Sequence, residues 1–278
     1  MTYRFLLISL FLNISCNLFA SDQAPTLKEL LLHIWQDQRA IVTSPARMDK
    51  QDAALWGVSA LSFVVLLPEY DNHRAFDEKL LDGIDRDDPR YGSFFKKLTY
   101  MGDGSVLFGA SLATYGISAM GDYTSAQRFS AHWVEALTDA SIWATVLKIV
   151  GGRNRPQNTH PESEFHGPKA YFHNEGVFSS FPSGHSTLAF ATAAVMTRES
   201  DNNPWVGVPA YLVAGGVGFS RMYVEKHWLT DVLFGAVLGH SIGMLVENRR
   251  HQTQKPTAWR IVPTAGSDSS GLALVYQW

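Results

Sequence analysis

The sequence predicts an all-α fold, an antiparallel helical bundle followed by a short C-terminal β-hairpin. Three observations predict it. Apolar residues recur at helical spacing in long segments between residues 25 and 248, and the breaks between these segments are rich in Pro, Gly, Asn and Asp. Only the last stretch, Trp259 to Trp278, has β-prone runs, and they flank a Gly/Ser/Asp turn.

The elements follow in order. MTYRFLLISLFLNISCNLFA, residues 1–20, reads as a secretory signal peptide, with Arg4 ahead of an apolar run through Ile14 and Ala20 at the cleavage point. Asn13 stands where a lipoprotein signal needs an aliphatic residue ahead of Cys16. Cleavage after Ala20 would remove the one cysteine, which excludes disulfides, thiol catalysis and cysteine metal sites. Pro25 to Ile41 is an amphipathic helix, and Ala53 to Pro68 a largely uncharged one. Asp82 to Gly92 is expected to be a proline-broken polar connector solvated by Asp82, Asp85, Asp87 and Asp88. Gly104 to Gly121 is again apolar, and Arg128 to Val150 is a long helix carrying His132, Glu135 and Asp139. Gln157 to Ser180 is expected to be loop, with His160, His166 and His173 as exposed loop residues. Helices then run from His185 to Arg198, Trp205 to Met222 and His227 to Asn248, with His240 expected as a core histidine on the last. The hairpin tail would pack on the bundle or pair with another chain through its open edge. This divides the chain into residues 1–20, a helical domain at 21–255 whose motif-bearing core is 130–248, and the tail at 256–278.

Composition narrows the class. Charged residues make up 18% of the 278, below the roughly 25% of ordinary soluble domains, and the net charge of −3 leaves no basic footprint for nucleic acid. Mean hydropathy is −0.07. The uncharged runs at 53–68 and 104–121 fall short of the about 20 apolar residues of a membrane span. The expectation is a protein on the periplasmic side of a bacterial cell envelope, soluble or membrane-associated.

Three polar clusters sit at helix ends. KIVGGRNRP holds Lys148 and Arg155, FPSGH holds Ser183, Gly184 and His185, and SRMYVEKHWLTD holds Arg221, His227 and Asp231. In an up-down bundle with short connections the end of one helix lies beside the start of the next, so all three clusters meet on one face. Three cations around the free N–H groups of a helix start form an oxyanion pocket suited to phosphate. His227 and Asp231 are four positions apart, a helical-face spacing that lets the carboxylate fix one imidazole nitrogen and leaves the other nucleophilic. Trp228 would pack under this pocket or belong to a lipid-facing rim.

The pattern K-x6-RP, PSGH and SR-x5-H-x3-D resembles the three-part signature of the type 2 phosphatidic acid phosphatase and vanadium haloperoxidase superfamily. The resemblance implies a helical bundle of the acid phosphatase/vanadium haloperoxidase type. It also implies that His227 attacks phosphorus to form a phosphohistidine, that Asp231 orients it, and that His185 protonates the leaving oxygen and later activates water. Lys148, Arg155, Arg221, the Ser183 hydroxyl and the Gly184 N–H would hold the phosphoryl oxygens. No metal or other cofactor is expected, and the motif region shows no carboxylate cluster to bind a cation.

The resulting expectation is a metal-independent phosphatase. Its substrate would be a monoester or diphosphate of a lipid such as phosphatidic acid, phosphatidylglycerophosphate or an isoprenyl diphosphate. Two alternatives stay open: a periplasmic acid phosphatase acting on small soluble phosphoesters, and a haloperoxidase in which vanadate, otherwise an inhibitor, is the cofactor held by His227.

Overall fold

The computed structural model describes residues 25–278 apart from 68, 72–73, 88, 122, 158–163, 174–178, 254–257, 266–269 and 278. The expected leader, and His160, lie outside the described residues.

Helix α1 (Leu27–Thr43) starts in a capping box in which Thr26 and Glu29 satisfy each other's neighbouring amides. Asp49 caps α2 (Lys50–Leu66) through the amides of Gln51 and Asp52. A two-stranded pairing of β1 (Glu69–Asp71) with β2 (Arg74–Ala75) leads into α3 (Phe76–Asp82). The expected connector at 82–92 is shorter than the sequence suggested, because α4 (Pro89–Thr99) begins inside it. Pro89 is no obstacle there, since a first-turn residue has no intrahelical N–H bond to lose.

Asp103 caps α5 (Gly104–Met120), and α6 (Thr124–Gly151) ends at Gly152, whose φ of 53° is the left-handed turn that glycine tolerates. The loop expected at 157–180 contains a short helix, α7 (Gly167–His173). Ser183 caps α8 (Gly184–Glu199), and Asn203 with Pro204 starts α9 (Pro204–Tyr223). Helix α10 (Leu229–Thr253) completes the bundle. Strands β3 (Ala258–Ala265) and β4 (Ser270–Gln277) pair antiparallel, with only their backbone course described.

Helix α8 is the centre, packed against α6, α9 and α10. Its small residues allow this, and Ala191, Ala193, Ala194 and Val195 are fully buried. Along α10, Gly235, Gly239 and Gly243 recur every four residues on the face toward α8. A Cβ at Gly235 would lie 2.7 Å from the Ser183 carbonyl, one at Gly243 2.7 Å from the Ala191 carbonyl, and one at Gly239 would overlap the Thr187 carbonyl. The missing side chains let the two backbones approach closely, which fixes the start of α10 against the start of α8. Trp133, Leu137, Leu188, Leu238 and Ile242 fill the core between α6, α8 and α10.

The bundle also buries charge. Arg250 bonds Asp37 and Glu135, Arg249 reaches Asp37 at 2.5 Å, and Gln38 donates to Asp139 at 2.6 Å, tying α1 to α6 and α10. His132 lies 2.8 Å from Glu199 and 3.3 Å from Glu247. Two carboxylates and an imidazole therefore gather within the motif region, contrary to the sequence expectation of no carboxylate cluster there. They come from three helices, so sequence spacing could not show them. His132 is sixteen residues, roughly 24 Å of helix, from Lys148.

Large apolar side chains also face outward. Leu61 on α2, Leu112 on α5 and Leu212 on α9 are 58%, 58% and 71% exposed, with Val58, Ile117 and Val208 beside them. These apolar segments are therefore not simply the core. Among the described helices, Leu229–Arg250 alone is long and apolar enough to cross a membrane, and half of it is buried in the bundle.

Candidate active site

The site forms where α6 ends and α8 and α10 begin. Lys148 lies in the last turn of α6 and donates to the carbonyls of Ser179 (2.8 Å) and Pro182 (2.5 Å). Its Cε is 3.8 Å from where a Cβ on Gly184 would stand, so the ammonium sits over the first turn of α8. Arg155 is beyond the Gly152 cap rather than on the helix, and its Nη2 donates to the Ser179 hydroxyl at 2.8 Å. Arg221, in the last turn of α9, is buried, and its Nε has no hydrogen-bond partner among the described residues.

The cations feel one another. Burial, then the charge of Arg155, pulls Lys148 down to about 7, and Arg221 also lowers it. Burial and Arg155 lower Arg221 to about 10. A pocket that makes it costly for its own cations to stay charged is one that an entering dianion relieves.

His227 is not on the helical face expected from its spacing to Asp231. It precedes α10 by two residues, in a turn, and its Nδ1 lies 2.7 Å from the Ser180 carbonyl but 3.7 Å from Asp231 Oδ2. A carbonyl can only accept, so Nδ1 carries the proton and Nε2 keeps the lone pair. Burial, with Lys148 and Arg155, lowers this histidine to about 3 and keeps it neutral, although Asp231 opposes the shift.

Asp231 holds the frame around the histidine. Its Oδ2 accepts from the Ser180 hydroxyl at 2.5 Å and the Trp228 amide at 3.0 Å, and its Oδ1 from Arg153 at 2.5 Å. Despite burial, Arg153, His227 and the Ser180 hydroxyl keep the carboxyl well below the usual carboxylate range. Arg153 also donates to Asp77 at 3.0 Å. Asp77 in turn accepts from Leu229 N at 2.9 Å and Thr230 Oγ1 at 2.5 Å, capping α10 with a carboxylate from α3. Trp228 packs under the pocket, 1% exposed, with its indole N–H on the Asn154 carbonyl at 2.8 Å.

His185 is in the first turn of α8, half-buried, with Nε2 3.8 Å from Asp103 Oδ2. Burial, then Arg221, lowers it to about 4, Lys148 and Arg155 adding to the shift and Asp103 opposing it. The Ser183 hydroxyl is fully buried and turned to the amide and hydroxyl of Ser186 as a helix cap. Of the eight residues singled out in the sequence, Lys148, Arg155, Arg221, Gly184, His185, His227 and Asp231 thus surround one pocket, while the Ser183 side chain points into the helix cap. Sequence reasoning missed Arg153, Ser180, Asp77 and Asp103. Of these only Arg153 carried a signal, lying between Lys148 and Arg155 in GGRNRP.

Outside the pocket, His240 is half-buried and bonded through Nδ1 to the Tyr211 hydroxyl at 2.5 Å. His166 is exposed beside Glu164.

Among curated proteins, a 68-residue stretch is 43% identical to a lipid A 1-phosphatase of Porphyromonas gingivalis, covering 24% of this chain and 15% of that protein. A second match, 30% identical over 38% of this chain and 48% of the relative, is an undecaprenyl-diphosphatase of Sulfolobus acidocaldarius. The chain thus spans about half or less of the length of these relatives. The structure resembles that of a transmembrane PAP2 type phosphatidylglycerolphosphate phosphatase from Bacillus subtilis. The TM-score is 0.55 at 21% identity, over 74% of this chain and 98% of that one, a likeness of fold. Residues 131–254 match the PAP2 superfamily, and the match ends before the C-terminal hairpin, which the comparisons do not support. The stretch that matches the PAP2 superfamily, residues 131–254, holds every sequence-selected residue of the pocket.

Proposed function

We propose that this protein is a membrane-associated phosphatase that removes a phosphoryl group from a phosphorylated lipid through a phosphohistidine. The observation that carries the reading is His227, locked by the Ser180 carbonyl with its Nε2 lone pair available, in a pocket of three cations. A neutral imidazole among cations is a nucleophile awaiting an anionic electrophile.

In the proposed reaction Nε2 of His227 attacks phosphorus as the bond to the leaving oxygen breaks, and that oxygen takes a proton from His185. Water then attacks the phosphohistidine, losing its proton to His185, and the P–N bond breaks to release phosphate. Lys148, Arg155, Arg221 and the Gly184 amide hold the three equatorial oxygens as charge moves onto them. With three cations aimed at the phosphoryl group, we assign the charge neutralisation to side chains and expect no metal requirement.

Exposed leucines and valines on α2, α5 and α9 support a lipid over a soluble ester, because so much outward apolar surface is costly in water. The relatives' names point the same way. The apolar run behind Arg4 supports export to the periplasmic side of the envelope.

The experiment is phosphate release from a lipid phosphate in detergent, with EDTA present, by the wild-type chain and by His227→Ala. Release by wild type and none by the variant, together with 32P trapped on wild-type protein after an alkaline denaturing quench and lost on acidification, is expected. Release by His227→Ala at the wild-type rate, or release abolished by EDTA, would overturn the reading.

A further inference from the structure

The acid histidine has a carboxylate beside it that the motif pattern does not contain. The turn Tyr100–Gly102 lies against the first turn of α8, where a Cβ on Gly102 would come within 2.9 Å of the His185 carbonyl and 3.3 Å of the His185 Cβ. Only glycine permits that approach, and it delivers the next residue, Asp103, to the edge of the pocket. The two carboxylate oxygens of Asp103 then do different things. Oδ1 accepts from the Ser105 and Val106 amides at 2.9 and 3.3 Å and from the Ser105 hydroxyl at 2.5 Å, as the cap of α5. Oδ2 stands 3.8 Å from His185 Nε2.

We propose that Asp103 is the positioning residue of the acid, holding His185 by Nε2 and stabilising its protonated form so that Nδ1 can give a proton to the leaving oxygen. The proposal rests on the phosphatase reading above. Its chemical need is plain from the surroundings. The charged groups acting on His185 are the cations Arg221, Lys148 and Arg155, which oppose protonation, and Asp103, which favours it. Without Asp103 the histidine would face cations alone, and a general acid that cannot hold its proton contributes nothing. The cap bonds to Oδ1 keep Asp103 ionised, lowering its own carboxyl below the ordinary value, so its charge is present throughout the neutral range. The separation is that of an ion pair rather than a hydrogen bond, as for catalytic contacts that tighten when substrate arrives.

The discriminating variant is Asp103→Asn in the full chain, because an asparagine oxygen can still cap α5 while the charge is removed. It is assayed on a prenyl monophosphate and on the matching diphosphate. The tails are the same, but the monophosphate expels an alkoxide, which needs a proton, and the diphosphate expels a phosphate, which hardly does. The expected result is a fall in kcat of about tenfold to a hundredfold on the monophosphate and under about threefold on the diphosphate, with KM nearly unchanged on both. The alkaline limb of the kcat profile on the monophosphate should move to lower pH, and if only the diphosphate turns over, the acid limb, which reports His185 as the base toward water, should move to lower pH instead. Asp103→Glu should recover part of the loss. Equal losses on both esters, or an unmoved limb, would overturn the role of Asp103 alone. Wild-type chain that releases phosphate from neither ester overturns the phosphatase reading, and this proposal with it.

Discussion

Arg153 joins Asp231 to Asp77, its Nη1 2.5 Å from one carboxylate and its Nη2 3.0 Å from the other, with all three side chains sealed from solvent. Through this arginine the carboxylate beside the nucleophile is tied to the one that caps α10. The guanidinium is also stacked 5.0 Å from the centre of the Phe165 ring and 5.7 Å from that of Trp228.

Removing Arg153 should therefore cost far more than its position outside the motif pattern suggests. Arg153→Ala would leave two buried carboxylates facing each other without a counter-charge, a loss of about 3–5 kcal/mol by analogy with other broken buried pairs. Denaturant unfolding should show that drop. The double variant Arg153→Met with Asp77→Asn should recover part of the stability, since the second charge goes with the first. If Arg153→Ala unfolds at the wild-type midpoint, the arginine is not the clamp described.

On the diphosphate, whose leaving group hardly needs the proton of His185, the alkaline limb of kcat/KM should be set by Lys148. Its pKa is lowered, to about 7 in the empty pocket, so the ammonium is charged below that pH and is lost above it. Phosphate capture then weakens as pH rises through 7, giving a descending alkaline limb. His227, neutral above about 3, adds no limb between pH 4 and 9. Lys148→Arg, which stays charged, should flatten the descent even if its absolute rate falls. A limb unchanged in Lys148→Arg would assign it to another group.

The fold and the site were legible in the sequence to different depths. Lys148, Arg155, His185, Arg221, His227 and Asp231 could be chosen because their types and order along helix ends already imply a cationic pocket. The lock on His227 could not, because it is the main-chain carbonyl of Ser180, a group every residue possesses. Asp77 and Asp103 were equally hidden. They lie far from their partners in sequence, and neither belongs to a motif. Helix α4 was missed for a local reason, since Pro89 and the acids before it read as connector through Gly92, while Phe95 packs against Phe219 and Tyr223 of α9.

The glycine row on α10 gives a prediction with its own control. Gly239→Ala would drive a methyl group into the Thr187 main-chain carbonyl, which cannot rotate away, so the helices must separate. A loss of about 1–3 kcal/mol is expected, with lower kcat because His227 and Asp231 shift relative to Gly184. Gly109→Ala, on α5 with nothing within 4 Å of the new Cβ, should instead gain about 0.5–1 kcal/mol from helix propensity. Thermal melts of the two variants should move in opposite directions, and a Gly239→Ala melt at or above wild type would refute the close approach.

Asp139 offers a stability test remote from the pocket. It is fully buried on α6, accepts from Gln38, and is raised to about 8 by burial and by the neighbouring charges of Asp37 and Glu135. The sign follows from the raised value. The unfolded chain gives up this proton near pH 4, while the folded one keeps it until about 8. Folding stability from this group therefore falls as pH rises between those limits. Asp139→Asn keeps an oxygen for Gln38 to donate to and removes the charge, so the variant should be more stable than wild type at pH 8, by about 1–3 kcal/mol. At pH 4 the two should unfold nearly together. Chemical denaturation of both proteins at the two pH values measures the difference, and an Asp139→Asn variant that is less stable at pH 8 would mean that the carboxylate is ionised and compensated in the fold, with Arg250 the nearest candidate for its counter-charge.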